Sequence, residues 1–356
     1  MKYNIEFLRF VFTIAILVFH ASKDCHSGQL VAAQYIANGS LCVDFFFIMS
    51  GFFLYSSIYK EKRIETFVVK RYIRLLPGVL VSFILHICCF YGGIIKQPVY
   101  FRNEFLNLLF IRDIGINSFG TLPLENGLFV TNTHLWYLGP LFYISLLYYV
   151  LFTTFDKKKL AALLGCAIFF SLPVYFNKFQ TVFTSCIRAF IGIGMGLFSR
   201  KVSDKVDIRG GVFVSLFEFL SLFEIMRCVF IKEYAFELNF WFMILFCFLL
   251  ISFYKNIGAI GKILNQKAFG FMGKYCYSIY CMQWIIQNII GNGNRLMESG
   301  SYPLFRIYHP VIDLILSILV ICLAGVLSFY FFERPLWKLL TVIVKKRYVT
   351  INYVPK

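Results

Sequence analysis

The sequence predicts an all-α membrane protein, built as a bundle of about ten transmembrane helices with both termini in the cytoplasm. Hydrophobic residues make up 59% of the 356 residues, above the roughly 45–50% apolar content of soluble domains. Apolar runs long enough to cross a bilayer recur along the whole chain. Most of the 35 Lys and Arg residues lie in alternate connectors between these runs, as the positive-inside rule requires of cytoplasmic loops.

The predicted spans are recognised by their length and hydrophobicity. They fall at 5–21, 41–59, 75–95, 135–155, 160–176, 181–199, 211–231, 236–254, 270–290 and 308–332. The longest connector, 96–133, contains Pro and Gly residues that break any spanning pattern, and it is predicted to be an extracytoplasmic loop. The last span is expected to end at Glu333 and Arg334. We therefore predict one integral-membrane domain over 1–340 and a basic cytoplasmic tail at 341–356.

Charge and cysteine content argue against a nucleic-acid-binding protein and against a zinc protein. The net charge is +17, but the basic residues lie in short connectors between apolar runs, so the expected partner is the lipid bilayer and not a nucleic acid. Most of the 11 Cys residues lie within apolar runs, where a thiol behaves as a small hydrophobe. No C-x-x-C pair or zinc-ligand spacing is present, so no metal is expected.

The first run is not expected to be a cleaved signal peptide, because Arg9 interrupts it.

The first span is the most informative stretch because it carries ionisable side chains. Arg9 and His20 are eleven residues apart, which in an α-helix is three turns plus about 20°, so both project from one face about 16 Å apart. An ionisable group inside a transmembrane helix costs about 2.5–3.5 kcal/mol on insertion scales and normally faces a polar cavity or a partner. The alternative is an Arg that snorkels to one interface and a His that is satisfied at the other.

The second span carries a carboxylate near its start. Asp44 is expected at about the depth that His20 reaches on the first span, so that the two side chains meet. A carboxylate that accepts one imidazole N–H leaves the other nitrogen as a base, which is the arrangement of acyl-transfer sites. The alternative is that Asp44 caps the start of its helix. Ser50 and Gly51, further along this span, indicate close helix packing.

A basic cluster follows the second span, on a predicted interfacial turn at 67–77. It consists of Lys70, Arg71 and Arg74. Arg71 and Arg74 are three residues apart, so their guanidinium groups can converge on one multiply charged anion. The alternatives are simple positive-inside topology and binding of an anionic lipid.

Six short motifs occur in order along the chain. They are R-x10-H in the first span, VDFFFIMSGF at 43–52, F-x3-R-x2-R-L-x-P at 67–77, HLWYL at 134–138, YSIY at 277–280 and FYFFERP at 329–335. Together they resemble the motifs of the integral-membrane acyltransferase family 3, and the resemblance extends over the whole chain. It implies a bundle of about ten helices in a bacterial cytoplasmic membrane, a cytoplasmic acyl-CoA donor, usually acetyl-CoA, and a saccharide acceptor at the cell surface.

The resemblance also implies roles for the polar residues of the first two spans. Arg9 and His20 form the essential pair of the family. The anionic 3′-phospho-ADP end of CoA is expected to dock on the basic cluster, with help from Arg9. His20, held by Asp44, is expected to act as a general base on a sugar hydroxyl or to accept the acyl group itself.

Three further residues are expected to contact the acceptor sugar. His134 and Trp136 begin the fourth span, although Trp136 also suits an interfacial aromatic belt. Gln283 occupies a position at which members of the family often carry His, so a second catalytic His is not expected there.

Two other classes of protein compete with an O-acyltransferase. A transporter or flippase of a glycan or small anion also uses intramembrane charges, but it predicts broken helices at matching positions of two halves, and the sequence has no such symmetry. A non-catalytic scaffold does not need motifs at polar positions. We therefore favour the O-acyltransferase.

Overall fold

The structure, a computed structural model, describes residues 2–24, 38–61, 63–95, 99, 101–111, 133–156, 184–205, 210–230, 239–298 and 310–351. Every regular element within these ranges is helical. The α-helices are α1 (Tyr3–Asp24), α2 (Cys42–Lys60), α3 (Ile64–Tyr91), α4 (Phe101–Leu108), α5 (Leu138–Thr154), α6 (Thr184–Lys205), α7 (Val212–Phe230), α8 (Asn239–Lys255), α9 (Ala259–Leu264), α10 (Cys276–Glu298), α11 (Pro310–Ser328) and α12 (Arg334–Ile351). The predicted span at 160–176 lies outside the described residues.

Several of these helices can cross a membrane. Among the described residues, five segments are long and apolar enough to do so: Tyr3–Ala21, Gly39–Lys60, Ile64–Tyr91, His134–Thr154 and Leu314–Val344. The protein is therefore an all-α membrane protein, as the sequence predicts. The number of ten spans and the cytoplasmic location of both termini remain predictions.

The basic cluster lies within a helix and not on a separate turn. α3 is a single helix of 28 residues that includes Pro77, whereas the sequence predicts an interfacial turn at 67–77 and a span that begins at 75. A proline inside a helix removes one hydrogen bond and crowds the preceding turn, but neighbouring helices of a membrane bundle can compensate. Pro77 is buried here. The basic side chains are therefore attached to a continuous helix.

The helix that contains the last predicted span does not end at Glu333 and Arg334. A π-helical turn, Phe329–Glu333, joins α11 to α12, and the helix continues to Ile351. Pro335, in the first turn of α12, has no N–H for the carbonyl four residues earlier and its ring crowds that carbonyl, which favours a widened turn just before it. Glu333 is buried and accepts a hydrogen bond from Ser328 Oγ at 3.0 Å. The predicted boundary at 341 thus falls inside a helix, and the cytoplasmic location of the tail stays a prediction.

Glycines allow α2 and α6 to pack closely. A Cβ at Gly51 would overlap the backbone carbonyl of Ile193, and a Cβ at Gly196 would overlap the carbonyl of Ile48. Gly192 and Gly196 form the small-xxx-small pattern of membrane helices that approach each other closely. The predicted close packing at Gly51 is confirmed.

α1 is packed on several sides, which turns its polar residues into the bundle. It contacts α2, α8, α10 and α11, and Ile5, Phe12 and Leu17 are buried. The start of the helix is fixed by Asn4, whose Nδ2 donates to the carbonyls of Phe253 at 2.8 Å and Gly261 at 3.0 Å. Ionisable groups on α1 therefore face other helices rather than lipid alone.

Candidate active site

Arg9 lies at one end of the polar face of α1. Its Nη1 donates to Glu6 Oε2 at 2.7 Å, and the two side chains are 19% and 14% exposed. Thr13 Oγ1 donates to the backbone carbonyl of Arg9 at 2.8 Å. The Nε of Arg9 is buried and has no hydrogen-bond partner within the described part of the chain. Glu6 is thus the partner of Arg9, and its i,i+3 spacing from Arg9 is the sequence signal for this pair.

A second guanidinium group approaches Arg9 from α3. The charge of Arg74 interacts with the charges of Arg9 and Glu6, and yet the Arg74 side chain is exposed. Arg71 lies close enough to Arg74 for their charges to interact, and its guanidinium is 5.1 Å from the centre of the Phe67 ring. Neither Arg71 nor Arg74 forms a salt bridge with a described residue. The three arginines outnumber the single carboxylate, so an accessible anion would be stabilised here.

Lys70 lies apart from these arginines. Its Nζ forms a salt bridge with Glu61 Oε1 at 2.5 Å, and the Lys70 side chain is 62% exposed. Of the basic cluster, Arg74 therefore lies within electrostatic range of Arg9, Arg71 lies within range of Arg74, and Lys70 is in a surface ion pair.

His20 lies at the other end of the polar face of α1, beside a second histidine. The ring centroids of His20 and His134 are 3.8 Å apart, with an angle of 33° between the ring planes. His134 belongs to a short 3-10 turn, Thr133–Tyr137, that leads into α5, and it is only 3% exposed. The Tyr280 hydroxyl of α10 donates to the backbone carbonyl of His134. A partly exposed imidazole next to a buried one can exchange a proton with a bound hydroxyl group.

Asp44 does not hold His20 as predicted, because it is paired with Arg188 of α6. Arg188 Nε donates to Asp44 Oδ1 at 2.5 Å, and Arg188 Nη2 donates to Asp44 Oδ2 at 2.9 Å and to the carbonyl of Ser40 at 2.6 Å. The planar guanidinium matches both oxygens of the carboxylate, and a buried carboxylate needs such a partner. The alternative prediction of a helix cap is also wrong, because the α2 N-cap is Leu41 and no side chain caps it.

Trp136 packs against this ion pair. The guanidinium of Arg188 lies 5.8 Å from the centre of the Trp136 ring. The centres of the Phe47 and Trp136 rings are 6.4 Å apart. Two residues of the HLWYL motif thus have different neighbours: His134 contacts His20, and Trp136 contacts the Asp44–Arg188 pair. Neither contact tests whether these side chains bind a sugar.

α10 runs beside α1 in the same direction. A Cβ at Gly273, just before α10, would overlap the Glu6 carboxylate, and the thiol of Cys276 lies close to Thr13 and interacts with the charge of Arg9. Further along, Gln287 Nε2 donates to the carbonyl of Leu17 at 3.5 Å. One face of α10 therefore lies along the polar face of α1 from the Arg9 end toward the His20 end.

Gln283 lies on this face of α10 and is fully buried. Neither amide atom of its side chain has a hydrogen-bond partner among the residues that the structure describes. The motif at 277–280 points to this position but does not reveal that the amide is buried.

An apolar groove on the opposite side of α1 is not part of this site. It has a volume of about 460 Å³. Its walls consist of apolar side chains of α1 and α7 and one methionine before α10: Phe7, Phe10, Val11, Ile14, Ala15, Val18, Met226, Val229, Phe230 and Met272. None of the described residues that line it is ionisable, so these residues offer no acid, base or anion site. Within the described residues, no group of three or more His, Cys, Asp or Glu side chains is arranged to hold a metal ion.

A helical bundle with membrane-spanning helices and a polar, ionisable face on its first helix defines a membrane protein with an internal polar site. The family model for the acyltransferase family 3, described as an acyltransferase domain, matches residues 2–334. The chain therefore belongs to this family and is an integral-membrane acyltransferase. Comparison with curated proteins and comparison with solved structures found no significant match.

Proposed function

We propose that this acyltransferase moves an acyl group, with acetyl as the first candidate, from cytoplasmic acyl-CoA to a hydroxyl group of a cell-surface or lipid-linked saccharide. The proposed location is a bacterial cytoplasmic membrane, and the reaction needs no metal. The main support is the arrangement along α1, in which Arg9 with its neighbouring arginines occupies one end and His20 the other. The two ends are about 16 Å apart along the helix axis.

The Arg9 end suits the charged part of the donor. The 3′-phospho-ADP group of CoA carries several negative charges, and Arg9, Arg71 and Arg74 provide guanidinium groups that bind phosphates in a bidentate manner. The flexible pantetheine arm would then extend between α1 and α10 and bring the thioester to His20.

The His20 end suits the chemistry. His20 would accept the proton of the sugar hydroxyl while the sugar oxygen attacks the thioester carbonyl carbon. The C–S bond then breaks, the sugar ester forms, and the CoA thiolate takes the proton from His20. In the two-step alternative, His20 attacks the thioester carbonyl carbon, the C–S bond breaks and the CoA thiolate leaves an acyl-imidazole. The sugar oxygen then attacks the acyl carbon, the C–N bond breaks, and the hydroxyl proton passes to the CoA thiolate. In both cases the donor and the acceptor reach His20 from opposite sides of the bundle.

The test is release of free thiol from acetyl-CoA by the purified protein in detergent or nanodiscs. We expect His20→Phe to abolish thiol release, because it keeps an aromatic ring against His134 but removes both nitrogen atoms. The matched control is His86→Phe, which changes a buried histidine of α3 whose ring packs 5.1 Å from that of Trp284.

The outcomes test the role of His20 and the identity of the donor. Thiol release that survives His20→Phe would contradict the role of His20. A wild-type protein that releases no thiol would next be tested for acetyl-CoA binding, and absence of binding would show that acetyl-CoA is not the donor of this acyltransferase.

A further inference from the structure

The amide of Gln283 is buried without a hydrogen-bond partner in the described chain. Its side chain is 0% exposed, and both Oε1 and Nε2 are unpaired. Buried amide groups are nearly always hydrogen-bonded, because removing them from water without compensation is costly. A glutamine that keeps both a donor and an acceptor unused therefore indicates a ligand that supplies the complementary groups.

The position of Gln283 along the bundle narrows the choice of ligand. Cys276, Gln283 and Gln287 are separated by seven and four residues, so they lie within about 40° on one face of α10. Gln283 lies about 10 Å beyond Cys276, which is beside Arg9, and about 6 Å before Gln287, which contacts the carbonyl of Leu17. The amide thus lies on the Arg9 side of Leu17, within the stretch of α10 that the donor arm follows on the proposed path between α1 and α10.

We propose that Gln283 binds the amide groups of the pantetheine arm of the acyl-CoA donor. This inference rests on the proposed function and assigns a subsite within it. The pantetheine arm contains two amides in succession, so the carbonyl of one can accept from Nε2 while the N–H of the other donates to Oε1. A sugar acceptor is the less suitable ligand, because it needs to reach only His20, on the far side of Leu17.

The variant Gln283→Met tests this subsite, because methionine has a similar length and shape but forms no comparable hydrogen bonds. We expect the Kd for acetyl-CoA to rise about tenfold, the size expected for loss of hydrogen bonds to a neutral group. The stability of the empty protein should be unchanged or higher, since an unsatisfied amide is removed. The matched control is Asn288→Leu, whose amide already donates to the backbone carbonyl of Trp284 at 2.8 Å and whose loss should leave the Kd unchanged.

A truncated donor identifies which part of CoA is bound. S-acetylpantetheine keeps both amides and lacks the nucleotide, so Gln283→Met should weaken its binding by about the same factor as for acetyl-CoA. Unchanged affinity for both donors would overturn the proposal, and so would a loss confined to acetyl-CoA, because Gln283 would then act on the nucleotide. If the wild-type protein neither cleaves nor binds acetyl-CoA, the proposed function itself is wrong, which is distinguishable from a normal wild type and an unaffected variant.

Discussion

Replacing Arg188 by Met should strongly destabilise the protein, because it leaves the Asp44 carboxylate buried without its partner. The Asp44 side chain is 1% exposed and the Arg188 side chain 18%, and Arg188 donates to both carboxylate oxygens. Removal of one member of a buried ion pair costs about 3–5 kcal/mol, since the remaining charge stays desolvated. Asp44→Asn should cost a similar amount. The double variant should cost much less than the sum of the two single changes.

The measurement is the free energy of unfolding in mixed micelles, followed by tryptophan fluorescence. The double-mutant cycle should give a coupling energy above about 1.5 kcal/mol, within the range for residues in direct contact. The control is Asp204→Asn in the i,i+4 pair of Asp204 with Arg200, which follows the predicted span at 181–199 and whose side chains are 41% and 13% exposed. Loss of an exposed pair should cost less than about 1 kcal/mol.

Two results would refute this reasoning about Asp44. One is additivity of the single changes, because residues that do not interact show no coupling energy. The other is an Asp44→Asn protein of unchanged stability that no longer releases thiol from acetyl-CoA. That result would mean that Asp44 acts on His20, as the sequence alone predicts.

Three further changes have defined outcomes. Replacing Arg71 and Arg74 together by Gln should weaken acetyl-CoA binding and reduce its salt dependence, because Coulombic attraction to the phosphates is lost. The measurement is the Kd for acetyl-CoA at several ionic strengths. An unchanged Kd would exclude the two arginines from the donor site. His134→Phe keeps an aromatic ring against that of His20, so folding should be retained. The pH profile of thiol release should shift because the nitrogen atoms beside His20 are lost. An unchanged profile would show that only ring packing matters. Gly196→Ala should cost about 1–3 kcal/mol by overpacking, measured as the free energy of unfolding in detergent. Gly211→Ala should cost little, because no atom of a described residue lies within 4 Å of its added Cβ.

The sequence predicts features that depend on local geometry. Arg9 and His20 share a helix face because helical periodicity alone fixes their relative direction. Gly51 indicates close packing because the absence of a side chain has the same consequence wherever the partner helix lies. The all-α membrane class follows from hydrophobicity and length, which need no knowledge of contacts.

The sequence does not predict which distant groups meet. Asp44 is paired with a residue 144 positions away, and helical periodicity contains no information about which side chain of another helix approaches it. His134 was expected to contact the sugar, and its position beside His20 depends on how the turn before α5 packs against α1. The continuation of α3 through Pro77 also depends on distant contacts. The low helix propensity of proline predicts a break, but neighbouring helices can stabilise the helix around it.

The common direction of α1 and α10 restricts how this fold can change in length. The chain leaves α1 at the His20 end of the bundle and enters α10 at the Arg9 end. It must therefore cross the bundle an odd number of times between these two helices. The sequence predicts seven apolar runs in this interval, from 41–59 to 236–254. Loss or gain of one such run would invert α10 and carry Gln283 away from the polar face of α1. Insertions and deletions that preserve the site must therefore add or remove membrane passes in pairs.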